Sequence, residues 1–123
     1  MNQTAKKILI VEDDPDIGLT LATILEDEGY VVATTDNGNE VMTDHLADHP
    51  PAMIVLDMLL SGWDGREIAR QLKAQDATRH IPILMLSAHP SAEQEAKAAG
   101  ADDFMPKPFE LDALLAKIAA LLA

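Results

Sequence analysis

Five short apolar or β-branched runs recur along the chain: Lys7 to Val11, Val31 to Thr35, Met53 to Leu56, Ile83 to Leu86, and a weaker one at Phe104 and Met105. Runs of this length bounded by turn formers predict buried strands. A stretch with helical signals follows each one. Asp14 is placed to cap the first helix with Pro15 at its opening position, and Gly29 ends it after LATILEDE. The second helix is expected from about Asn39 to Ala47, between the turn DNG and the breaker HPP. Asp64 with Glu67 gives a capping-box-like start to the third, and Ser91 with Gln94 repeats that pattern before the fourth, which Gly100 ends. Leu111, Leu114, Leu115, Ile118 and Leu122 stripe the fifth.

Strands alternating with helices of this length imply parallel strands joined by right-handed crossovers, with helices on both faces. The runs are nearly continuous in apolar residues rather than alternating, as expected of strands buried on both sides. The fold class is therefore α/β, a doubly wound domain with a five-stranded parallel sheet. A chain of 123 residues, 48% hydrophobic, has room for one such domain and its core. There is no linker or internal repeat.

Charge narrows the function classes. Lys and Arg number 9 against 21 Asp and Glu, a formal net charge of −12, which repels polyanions and argues against direct nucleic-acid binding. Asp57 interrupts PAMIVLDMLL and Lys117 interrupts LLAKIAALLA, so no run reaches the roughly 18 apolar residues of a membrane span. Ile8 to Val11 is too short for the apolar region of a signal peptide, and a cytoplasmic location is expected. The absence of cysteine fits a reducing compartment and excludes a thiolate metal site.

In open parallel sheets the site lies at the carboxyl ends of the strands. There the first strand delivers Glu12, Asp13 and Asp14, the third Asp57, the fourth Ser87 and the fifth Lys107, just before Pro108. Crowded carboxylates repel by about 1 to 4 kcal/mol per pair at about 4 Å, so a cation is expected opposite them. Carboxylates, a hydroxyl and an ammonium suit Mg²⁺, which prefers oxygen ligands, keeps several waters and accepts phosphate oxygens.

The acidic pair Asp13 and Asp14 after strand one, IVLDMLLSGWDG around Asp57, LSA at Ser87 and KPF at Lys107, in this order and spacing, resemble the receiver domain of two-component response regulators. The resemblance runs from Lys7 to Leu122. It implies a flavodoxin-like (βα)5 sheet of order 2-1-3-4-5, with residues 1–123 as a single receiver domain without an output domain. It implies that Asp57 is the phosphoacceptor, attacking a phosphoryl group presented by a histidine kinase or histidine phosphotransfer protein. Asp14 and Asp57 would ligate Mg²⁺, Asp13 would do so directly or through water, and the Leu59 backbone carbonyl would complete the set. Lys107 would pair with a phosphoryl oxygen and Ser87 would donate a hydrogen bond to another. Phe104 would be the switch aromatic, turning inward as Ser87 moves. Such a domain is not a classical enzyme, although it promotes its own Mg²⁺-dependent phosphorylation and dephosphorylation. Its signal would leave to a downstream protein target, or to a second copy, through the fourth helix, fifth strand and fifth helix.

Plainer roles stand beside these. Asp13, Asp14 and Asp16 also suit the positive end of the first helix, Asp57 a turn, Ser87 a strand end and Phe104 the core. His45 and His49 stand four apart, a spacing able to chelate a metal, but lack a third ligand; His80 has no role. Ser61 and Trp63 depart from common receiver loop residues, and Leu59 and His89 fall at positions where the family tunes acyl-phosphate lifetime. An aspartate-nucleophile phosphatase would need a second Asp where Leu59 stands. A flavin mononucleotide carrier would not place acids at its phosphate loop. A scaffold that binds partners without phosphorylation is the remaining alternative.

Overall fold

A computed structural model describes residues 6–38, 40, 41, 50–60 and 62–123. Five parallel strands form one sheet: β1 (Lys7–Val11), β2 (Val31–Thr35), β3 (Met53–Asp57), β4 (Ile83–Ser87) and β5 (Asp103–Pro106), in the order β2-β1-β3-β4-β5. The order and the flavodoxin-like architecture are those expected. The described helices are α1 (Pro15–Asp27), α2 (Gly65–Ala74), α3 (Glu93–Ala98) and α4 (Leu111–Leu122). Gly38, Glu40 and Val41 are helical at the start of the second helix expected from sequence. The rest of that helix, with His45 and His49, and Ser61 lie outside the described residues.

Successive strand residues point to opposite faces, which is how a continuous apolar run fills two cores. Leu9, Val11, Ile54, Leu56, Ile83, Met85 and Phe104 pack on one face with Ile68, Leu72 and Ala96 of α2 and α3. Ile8, Ile10, Met53, Val55, Leu84, Leu86 and Met105 pack on the other with Leu21 and Leu25 of α1 and Leu114 and Ile118 of α4. The central strands β3 and β4 are buried at every residue, whereas edge strand β2 exposes Val31 and Thr34.

Helix ends follow their local chemistry. Asp14 Oδ1 accepts the Asp16 and Ile17 amides at 2.9 and 3.3 Å, capping α1 with Pro15 in its first turn. Asp64 Oδ1 accepts the Arg66 amide at 2.9 Å and caps α2. Gly29 and Gly100 end α1 and α3 at φ 96° and 106°, where other residues would be strained. The capping box expected at Ser91 and Gln94 does not form. Ser91 Oγ pairs instead with His89 Nδ1 at 2.8 Å, a 3-10 turn covers Pro90–Ala92, and α3 starts at Glu93 without a side-chain cap.

One element was not expected. Leu59–Leu60 and Trp63–Asp64 form a small antiparallel hairpin directly after Asp57. Its return presses Gly65 onto the preceding backbone: the Gly65 amide donates to the Met58 carbonyl at 2.8 Å, and a Cβ there would collide with the Asp57 carbonyl oxygen.

Candidate functional site

The register decides which residues meet. Val11 pairs with Leu56 and Ser87 with Pro106, so the next residues along, Glu12, Asp57 and Lys107, gather at the carboxyl edge of the sheet beside Ser87. Glu12 and Asp57 are each only 7% exposed and Ser87 3%. Burying charges here is tolerable because Lys107 Nζ reaches between them, 2.8 Å from Glu12 Oε1 and 3.1 Å from Asp57 Oδ2. The other Asp57 oxygen, Oδ1, accepts the Leu59 amide at 3.3 Å, tying the carboxylate to the hairpin. Ser87 Oγ accepts the His89 amide at 3.1 Å, while its carbonyl accepts the Lys107 amide at 2.8 Å. The Lys107–Pro108 peptide is cis.

Carboxylate oxygens of Glu12, Asp13 and Asp57 lie within 4.8 Å of one another, the one such group of three among the described residues. Asp14 is not in it. Sequence reasoning placed Asp14 in the metal set, but its Oδ1 is spent on two amides of α1 and its side chain faces solvent. Glu12 stands in this carboxylate group instead. The signal was present: β1 ends at Val11, so the first residue beyond it, not the third, stands beside Asp57.

Electrostatics reflect the crowding. Burial pushes the Glu12 carboxyl above its ordinary range, the neighbouring Asp57 adds to this, and the hydrogen bond from Lys107 opposes it. For Lys107 burial acts to lower the pKa, but the hydrogen bond with Glu12 and the charges of Asp57 and Glu12 outweigh it and raise the value. The lysine is therefore a firm cation at neutral pH, and the glutamate is pushed toward its protonated form by burial and by Asp57.

Around this centre, Phe104 is buried against β4, level with Met85. Just before it, Asp103 accepts the Phe104 amide at 2.8 Å and Lys117 of α4 at 3.1 Å. Trp63 is half-exposed, and its ring covers Gly38, where a Cβ would lie 2.9 Å from it. A cavity of about 220 Å³ opens beside Ser87, lined by Met58, Leu59, Arg66, His89, Ala92 and Glu95 among others.

This sheet order, with acids at the ends of β1 and β3, a hydroxyl ending β4 and a lysine after β5, defines a flavodoxin-like signalling domain. The chain belongs to the response regulator receiver domain family, whose model matches residues 8–119. It is 39% identical over 118 residues to the response regulator MprA of Mycobacterium sp. (strain KMS), a match covering 94% of this chain and 50% of that protein. The chain thus spans about half the length of the curated relatives it matches. A solved putative response regulator from Chloroflexus aurantiacus J-10-fl superposes with a TM-score of 0.91 at 30% identity, covering 97% of this chain and 98% of that one. The receiver domain of the sensor histidine kinase PA1611 from Pseudomonas aeruginosa PAO1, solved with a magnesium ion coordinated in its active-site cleft, gives 0.87 at 26% identity, covering 97% and 98%. Receiver domains of this family are signalling phosphoacceptors rather than classical enzymes. No helix among the described residues is long and apolar enough to cross a membrane.

Proposed function

We propose that Asp57 accepts a phosphoryl group from a phosphohistidine of a histidine kinase or histidine phosphotransfer protein in a Mg²⁺-dependent reaction. The acyl phosphate then alters the affinity of the face made by α3, β5 and α4 for a protein target or a second copy. The observation that carries this reading is the Asp57 carboxylate, nearly buried, held 3.1 Å from the Lys107 ammonium and grouped with two further acids.

The donor set fits a hard divalent ion: it offers carboxylate oxygens alone, without imidazole or thiolate, the preference of Mg²⁺. The magnesium-loaded PA1611 receiver domain supports the same assignment. Asp13, Asp57 and the Leu59 carbonyl would hold the ion, with Glu12 contributing directly or through water. When bound, the ion neutralises charge on the incoming phosphoryl oxygens.

The chain's own residues do the rest. An Asp57 oxygen attacks phosphorus, the bond to the donor imidazole nitrogen breaks, and the electron pair leaves with the imidazole. Lys107, already paired with Asp57, takes up charge on the phosphoryl oxygens, and the Ser87 hydroxyl turns from the His89 amide to donate to one of them. These groups also make the domain a participant in its own phosphorylation and dephosphorylation. The reading covers residues 1–123 as one receiver unit in a cytoplasmic pathway. Incubation with acetyl phosphate and Mg²⁺ should add the mass of one phosphoryl group to the intact protein. Equal incorporation in excess chelator would refute the metal dependence, and undiminished incorporation in Asp57→Asn would refute the acceptor.

A further inference from the structure

The Arg66 guanidinium joins two parts of the molecule that flank the Ser87 cavity. Its Nε and NH2 grip both oxygens of Asp64 at 3.0 and 2.9 Å, and its remaining NH1 reaches Glu95 of α3 at 2.8 Å. Asp64 is the hairpin partner of Leu59, and the Leu59 amide donates to Asp57 Oδ1. A continuous line of contacts therefore runs from the phosphoacceptor through the hairpin and Arg66 to α3. At its far end α3 has six residues, lacks a side-chain cap, and follows a 3-10 turn that is equally uncapped. Between the hairpin and this turn lies the cavity of about 220 Å³ rather than packed side chains. The helix is anchored to the sheet through buried Ala96, and across the cavity the Arg66–Glu95 pair ties it to the opposite wall.

We propose that the Arg66–Glu95 pair is a latch that holds α3 in the unphosphorylated arrangement, so that occupying Asp57 must break it. This rests on the function proposed above. A phosphoryl group draws the Ser87 hydroxyl away from the His89 amide, only residues 88 and 89 separate Ser87 from the 3-10 turn, and the cavity receives the movement. A pair at 2.8 Å does not survive a shift of the helix relative to α2. Arg66 is thus a positioning residue: it sets how readily the phosphorylated form is reached, without touching the reacting atoms. The two side chains are 31% and 58% exposed, so the latch is modest and salt weakens it.

Beryllofluoride with Mg²⁺, which occupies an aspartate as a phosphoryl group would, provides the test. Glu95→Gln leaves the Asp64–Arg66 cap intact and should bind beryllofluoride about two- to fivefold more tightly than wild type at low ionic strength, the range an exposed pair can supply. At about 1 M salt the two affinities should converge, because screening opens the wild-type latch. Glu67→Gln, which breaks the Arg70–Glu67 pair on the outer side of α2, should match wild type throughout. Equal affinities of wild type and Glu95→Gln at low salt, a gap that persists unchanged at high salt, or the same gain in Glu67→Gln would overturn the latch. Failure of the wild type to bind beryllofluoride at all would instead overturn the function on which it rests.

Discussion

Replacing Lys107 by methionine keeps most of the apolar stem and removes the one ammonium between Glu12 and Asp57. The carboxylates lie 2.8 and 3.1 Å from it, with side chains only 2% and 9% exposed, so water replaces the lost cation poorly. Removing one partner of a buried ion pair costs about 3 to 5 kcal/mol. Glu12 recovers part of this by binding a proton, since burial and Asp57 already hold its pKa up and the opposing Lys107 contribution is gone. The expected loss is about 2 to 4 kcal/mol near pH 8 without divalent ions. The sign of the pH dependence follows. A folded-state carboxyl pKa above the unfolded one means that the native protein binds more protons, so the variant loses stability as pH rises through that window. Wild type keeps the contribution of Lys107, whose raised pKa leaves it fully present below the unfolded value. The gap should therefore narrow toward about pH 5. Urea unfolding followed by circular dichroism at both pH values measures it. A loss under about 1 kcal/mol near pH 8, or a larger loss at the lower pH, would refute the reasoning.

Other substitutions separate structural from chemical roles. Asp14→Ala should cost about 1 kcal/mol in urea unfolding through the lost cap while leaving Mg²⁺ affinity nearly unchanged by calorimetry, whereas Asp13→Ala should sharply weaken Mg²⁺ binding. Gly65→Ala should lower stability by about 1 to 3 kcal/mol or more and weaken labelling of Asp57, because its Cβ displaces the acceptor's own backbone. Phe104→Ala should cost about 3 to 5 kcal/mol in the same unfolding assay, as expected of a core aromatic. Trp63, the only tryptophan, lies in the hairpin that begins two residues after Asp57, and its emission should shift on beryllofluoride binding; a flat titration would detach the hairpin from the site.

The sheet was legible because Ile8–Val11, Met53–Leu56 and Ile83–Leu86 are continuous apolar runs of strand length, each ending at a polar residue, as expected of strands buried on both faces. Asp57, Ser87 and Lys107 could be grouped for a related reason: each ends or follows a strand, so the topology alone brings them to one edge. Neighbouring acids look alike in sequence, and only the end of β1 at Val11 decides that Glu12 stands beside Asp57 while Asp14 caps α1. The Ser91 capping box failed because the helix starts at Glu93, which makes Ala92 rather than Ser91 its N-cap and leaves the Ser91 hydroxyl paired with His89 Nδ1. The hairpin at Leu59–Asp64 has strands of two residues, too short for any periodicity to announce. Arg66 and Glu95 are 29 residues apart, and their meeting depends on tertiary packing alone.

The central claim is that the acyl phosphate forms on Asp57. Borohydride reduces an acyl phosphate to an alcohol, so treating the phosphorylated protein with it and mapping peptides by mass spectrometry converts the modified aspartate into homoserine. The account predicts homoserine at position 57 alone, dependent on Mg²⁺ and on phosphodonor. Homoserine at Asp13 or Asp14 with Asp57 intact would contradict it.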